Sequence, residues 1–309
     1  RQMTVEEIFQ RARTSALLSD PYVKKVWSLV HEDLFSLPPD TLARLRKELM
    51  GECLRFFQRR SPYYADLFER TGIDIRDPDL TDLSNIAVPS DMLRGDGHRR
   101  FLIPGVEEEG ETFSSSGTSG RAPVKIYRSP LDLAIMVQAN TALFEHVYGG
   151  SLEAGKGIAL FMAAPELRYR LSFVAFVALT LESKGVDLLY GMDLEEGRDG
   201  DKPWTKLTPN TSNIIKFLKS KAEPKLFFTA PAGVHLLTKK MDELSWGKRL
   251  MQRLVTGTPP VKLGRGGLIV TGGGTKGFDD LPPYNDIVDN ARRQFTAQER
   301  DGTAVPAPF

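Results

Sequence analysis

Cysteine is almost missing from this chain: Cys53 stands alone among 309 residues. One thiol excludes an internal disulfide framework and any zinc site built on several cysteines. It fits a reducing, cytoplasmic setting. Charge of one sign is missing too. Forty-one basic residues face forty acidic ones, a formal charge of +1, without the basic excess of a dedicated nucleic-acid binder. Histidine is scarce, and His31, His98 and His146 are scattered without metal-ligand spacing, so they are assigned no role and no metal-ligand residue is named. The longest apolar run, residues 171–181, is too short to span a bilayer and is interrupted by Ser172 and Thr180. It reads as a buried helix, and no membrane span is expected. The chain starts Arg1-Gln2 without a secretory pattern and stops at Ala307-Pro308-Phe309 without a cap or charged tail, so an excised part of a longer protein is expected.

What is present is a concentrated one. Residues 114–120, Ser114-Ser115-Ser116-Gly117-Thr118-Ser119-Gly120, put five hydroxyls and two glycines into seven positions. Such a run cannot build a core. Its hydroxyls can hydrogen-bond phosphate oxygens, and its glycines let backbone N–H groups approach an anion closely. A solvated linker has similar composition. Linkers, however, rarely sit between a strand-like lead-in, Glu111-Thr112-Phe113, and a β-rich exit, Val124-Lys125-Ile126-Tyr127. Spacing removes other readings. The lysine of a nucleotide P-loop is not in its place, the three glycines of a dinucleotide fingerprint are missing, and there is no Gly-x-Ser-x-Gly elbow for a serine hydrolase. A phosphate-binding loop and a solvated linker both stay open, and in the first reading Arg121 is a candidate cation. Lys125 is a second candidate, equally readable as a solvated strand lysine.

The chain divides by texture. Residues 1–110 read as helical. Thr4 and Glu7 have capping-box spacing, and Asp40 is placed to cap a longer helix with an apolar stripe through Leu42, Leu45, Leu49, Cys53, Phe56 and Phe57. Cys53 on that stripe reads as a buried structural thiol. Residues 111–309 alternate short apolar β-like runs with helical stretches, which predicts an α/β fold, a mostly parallel sheet covered by helices. Strands are expected at 158–162, 186–190, 226–229 and 268–270, and helices at 171–183, 213–219, 234–241 and 287–295. Residues 191–210 read as an exposed excursion and the tail after Phe278 as otherwise loop-rich. Ligands of such sheets bind beyond the carboxyl ends of the strands, where 163–165, 230–232 and 271–274 are expected to border one crevice.

Several segments together carry a resemblance. Ser115-Ser116-Gly117-Thr118-Ser119-Gly120 with Pro123 resembles the phosphate loop of adenylate-forming enzymes. Ser61-Pro62-Tyr63-Tyr64, Leu83-Ser84-Asn85-Ile86-Ala87-Val88-Pro89 and Met92-Leu93-Arg94 are similar to the phenylacetate-CoA-ligase-like branch. Gly272-Gly273-Gly274-Thr275-Lys276 resembles the Gly-Gly-Gly-x-Lys segment of the acyl-protein synthetase family of bacterial bioluminescence. The resemblance spans residues 60–280 and implies the large N-terminal part of an acyl-activating enzyme. The loop at 114–120 would hold the β,γ-phosphates of ATP. Gly272, Gly273, Gly274, Thr275 and Lys276 would border the adenine and the acyl pocket, with His235 on the acyl side. A plain strand-to-loop turn is the competing reading of the glycines.

The implied reaction converts a fatty or aryl carboxylic acid and ATP, with Mg²⁺, into an acyl-adenylate and pyrophosphate. The acyl group then passes to a thiol of a protein cysteine, CoA or a carrier protein. Parts of the family pattern are missing: the aromatic-Gly-x-Thr-Glu segment, the ribose-binding aspartate, the mobile C-terminal domain with its lysine, and the acceptor cysteine. No catalytic residue is therefore assigned. Two alternatives stay open, an acyltransferase using a preformed thioester without ATP and a non-catalytic nucleotide-binding domain. Phe161, Phe173, Phe176 and Phe227 read as core, or as walls of an acyl pocket.

Overall fold

The computed structural model describes residues 3–106, 110–114, 122–152, 156–199, 202–243, 261–272 and 281–309. Contacts divide the chain into two units, Arg1–Leu143 with Tyr169–Phe176, and Phe144–Arg168 with Val177–Phe309.

Helices dominate the first unit, and local chemistry explains where they start. The helix α1 (Val5–Arg13) opens on a reciprocal capping box, with the Glu7 amide donating to Thr4 Oγ1 at 3.2 Å and the Thr4 amide to Glu7 Oε2 at 3.0 Å. It buries Ile8 and Ala12, one turn apart. Asp20 caps α2 (Pro21–Leu29) and Ser61 caps α4 (Pro62–Thr71), each with proline at the first helical position. In α3 (Pro39–Arg60) the expected cap is displaced. Pro38 occupies the N-cap and Asp40 falls inside the first turn, where its charge faces the positive end of the helix dipole. The short α5 (Leu80–Asn85) has its own capping box from Asp79 and Asp82. Leu54, Phe68 and Ile86, on α3, α4 and just after α5, form a local core.

The same unit contains an antiparallel hairpin of β1 (Glu111–Ser114) and β2 (Lys125–Arg128). After it comes the long helix α6 (Pro130–Leu152), opened by Ser129 and Asp132, each of which accepts from the other's backbone amide (3.1 and 3.3 Å). Both α6 and α7 (Ser172–Ser183) supply residues to each unit.

The second unit is the α/β part. Its parallel sheet has the order β4 (Asp187–Tyr190), β3 (Ile158–Phe161), β7 (Lys225–Thr229) and β9 (Leu268–Thr271). Every residue of β3 and β7 is buried, as expected of central parallel strands with near-continuous apolar sequence. Helices α8 (Thr211–Lys219) and α9 (Pro231–Glu243) lie in the crossovers between strands. Phe217, Phe227, Val234, Ile269 and Phe295 belong to one core cluster. The predicted α/β fold with a parallel sheet covered by helices is present.

One expectation about the rest is sharpened and one is corrected. Residues 191–210, read as an exposed excursion, contain a paired ribbon, β5 (Met192–Asp199) with β6 (Lys202–Pro209), in register from Met192↔Pro209 to Asp199↔Lys202. The tail is more ordered than expected. After α10 (Tyr284–Gln294), β10 (Phe295–Gln298) pairs parallel with β8 (Val261–Arg265) and antiparallel with β11 (Ala304–Pro306). No described helix is long and apolar enough to cross a membrane.

Candidate functional site

The hairpin β1–β2 closes the neck of the Ser/Gly-rich run. Ser114 and Lys125 are direct cross-strand partners, so the two ends of the intervening segment lie side by side. Residues on either side hold this neck. The Ser114 amide donates to the Arg170 carbonyl at 2.7 Å. Arg94 forms a bridge with Val124, and its guanidinium donates to the Ala122 carbonyl at 2.6 Å and to Asp91 Oδ1 at 2.7 Å. Sequence reading missed Arg94 as an anchor, because nothing local shows that it meets a segment nearly thirty residues away. Ser115, Ser116, Gly117, Thr118, Ser119, Gly120 and Arg121 lie outside the described residues.

Lys125 is the one predicted phosphate cation within the described residues. Its ammonium lies 4.0 Å from Asp96 Oδ1, at the outer limit of an ion pair, and Asp96 is 84% exposed. Solvent and salt screen such a pair, which leaves the lysine weakly committed.

The carboxyl edge of the parallel sheet belongs to the second unit. Register places Phe161 beside Phe228 and Thr229 beside Thr271, so the segments after β3, β7 and β9 do share one edge. They do not all present an open wall there. Ala163, Ala164 and Ala232 are buried. The first glycine of the triple, Gly272, donates its amide to the Thr229 carbonyl at 3.1 Å. Gly273, Gly274, Thr275 and Lys276 lie outside the described residues. Close approach explains another glycine: a Cβ on Gly233 would sit 2.1 Å from Thr229 Oγ1, so only glycine lets α9 pack down on β7.

His235 lies in the first turns of α9, half-buried, and its Nδ1 is buried without a hydrogen-bond partner among the described residues. The sequence places it after a strand that ends at this edge, and the structure keeps it there. Tyr284 is an addition. Its hydroxyl is 3.0 Å from Thr271 Oγ1 and its ring packs edge-on to Phe309 at 5.9 Å. Tyr284 carries no sequence signal beyond following Pro282-Pro283. Phe161 and Phe227 are buried in the sheet core, whereas Phe173 is 52% exposed. Among the described residues no group of three or more His, Cys, Asp or Glu side chains is placed to hold a metal ion.

The predicted residues thus fall into two sets, the hairpin neck in the first unit and the sheet edge in the second. No protein-family model matches this chain, and no curated protein matches its sequence.

Proposed function

We propose that this chain belongs to an adenylate-forming enzyme that activates a carboxylic acid. The supporting observation is the hairpin neck. The residues that flank the run of hydroxyls and glycines are paired, with Lys125 directly across from Ser114. A linker has no use for such a clamp, whereas a phosphate loop needs its donors preorganised before the ligand arrives. The fold agrees, with a four-stranded parallel sheet whose carboxyl edge carries His235 and Gly272.

In this reading a carboxylate oxygen attacks the α-phosphorus of ATP. The new P–O bond replaces the bond to the bridging oxygen, and pyrophosphate leaves with that electron pair. Ser116 and Thr118 hydroxyls and the adjacent backbone amides donate to the departing phosphates, spreading their charge without adding a full countercharge. Lys125 adds a positive charge at the neck. A thiol then attacks the acyl carbon, and AMP leaves. Mg²⁺, when bound with ATP, would neutralise part of the charge on the phosphates.

The test is acid-dependent exchange between labelled pyrophosphate and ATP, across fatty and aryl acids, with the protein as the cell makes it. Exchange with one acid class is expected, falling at least about 100-fold in the Ser116→Ala, Thr118→Ala double variant, the scale of losing preorganised transition-state donors. ATP binding without exchange for any acid would sink the enzymatic reading and leave a nucleotide-binding domain. Neither binding nor exchange would turn the assignment to a thioester-using acyltransferase.

A further inference from the structure

The first unit contains a cavity of about 430 Å³ that shares only Lys125 with the adenylation reading. Helices α2, α3 and α6, strand β2 and the segment 93–106 all contribute to its wall. That volume is within the range of small-molecule sites. Part of the wall is a chain of touching aromatic rings, Tyr22 against Phe56 with centroids 5.4 Å apart and Phe56 against Phe57 at 5.3 Å. Val26, Phe101 and Ile135 extend the apolar lining.

The polar groups of the wall are mostly committed. His98 Nδ1 is 2.9 Å from the Gly95 carbonyl oxygen, and Asp132 accepts from the Ser129 amide in capping α6. Tyr22 is hydrogen-bonded to Cys53. Arg128 differs. Its Nε is buried and has no hydrogen-bond partner, and its guanidinium makes no ion pair among the described residues. A buried donor left unsatisfied is costly, and more so on a charged group. Lys125 lines the same cavity and is only loosely paired with Asp96. Two cations therefore face one carboxylate, and that carboxylate is already spent on a helix cap.

We propose that this cavity binds a small apolar organic anion, an aryl or short-alkyl body with a single acidic head. The head pairs with Arg128, whose planar fork suits an oxyanion, and Lys125 assists. The body lies along the Tyr22–Phe56–Phe57 rings. The site is contained within the first unit and does not depend on acyl activation.

Isothermal titration without nucleotide tests this, using octanoate and 4-phenylbutyrate as probes and 1-octanol as the uncharged control. Both acids are expected to bind about tenfold or more tightly than octanol, a margin well inside the worth of a charge-assisted hydrogen bond. Arg128→Gln should bring the acids to the octanol level and leave octanol unchanged, while Ile135→Trp, which fills the cavity, should abolish binding of all three. Thermal melts verify that each variant folds. If Arg128→Gln does not fold, Lys125→Gln on the partly exposed rim should still weaken the acids selectively. An aryl acid carrying a photoreactive group should label residues 93–106 or 125–135. The inference is overturned by equal binding of acids and octanol, by acid binding indifferent to these substitutions, by labelling elsewhere, or by no binding. Because ATP is left out, none of these outcomes bears on the exchange experiment.

Discussion

Cys53 shows how one residue's reactivity is set by its neighbours. It sits on α3 with its thiol pushed above the ordinary range by burial, and the hydrogen bond from Tyr22 pulls partly the other way. The phenol is driven up in turn, first by burial and then by the thiol, so it stays protonated and remains the donor. At neutral pH the reactive thiolate is therefore scarcer than in a free cysteine. Iodoacetamide should alkylate the folded protein about tenfold or more slowly than it alkylates free cysteine, and urea should remove the difference. Tyr22→Phe deletes the one interaction that favours the thiolate. The midpoint of the alkylation–pH profile should then move further up. A fast reaction in the native protein, or a downward shift in the variant, would mean that Cys53 is not the sequestered group described above.

At the scale of elements, the β5–β6 ribbon offers the sharpest test. Among the described residues its two strands pair only with each other, and no side chain whose burial is described in either strand is in the buried core. An isolated two-stranded ribbon contributes little to global stability. Replacing residues 195–206 by a short Gly-rich turn should shift the melting temperature by no more than about 2–4 °C, the equivalent of roughly 1 kcal/mol in a domain of this size. A collapse of the melt would show that the ribbon supports the sheet. This ribbon also marks where sequence reading fails. The strands β3, β7 and β9 were legible because burial on both faces writes an unbroken apolar run, as in Leu226-Phe227-Phe228. The ribbon has Asp193, Glu195 and Glu196 where such a run would be, since its pairing is held by backbone hydrogen bonds and not by burial. Strand β10 was hidden for another reason: its alternation, Phe295 and Ala297 inward, lasts only four residues, and its partner β8 is thirty residues upstream. Of the candidate site, the hydroxyl and glycine content of residues 114–120 is visible in composition. The Arg94 clamp and the cavity around Arg128 could not, because each depends on residues distant in sequence meeting in the fold.

For the whole molecule, the division into two units has a thermodynamic signature. Chains with more than one compact unit commonly depart from all-or-none unfolding. Scanning calorimetry should give a van't Hoff enthalpy, from a single-transition fit, below the calorimetric enthalpy. A ratio near one would mean that the units melt together. The neck at Ser114 and Lys125 has a different kind of consequence. A loop closed at its base by paired strands and the Arg94 clamp can change length cheaply, since each doubling adds only about 0.6 kcal/mol of closure entropy. Composition between positions 114 and 125 is thereby uncoupled from the strand pairing that closes it, so selection, or an engineer, can rewrite that segment as an interchangeable cassette.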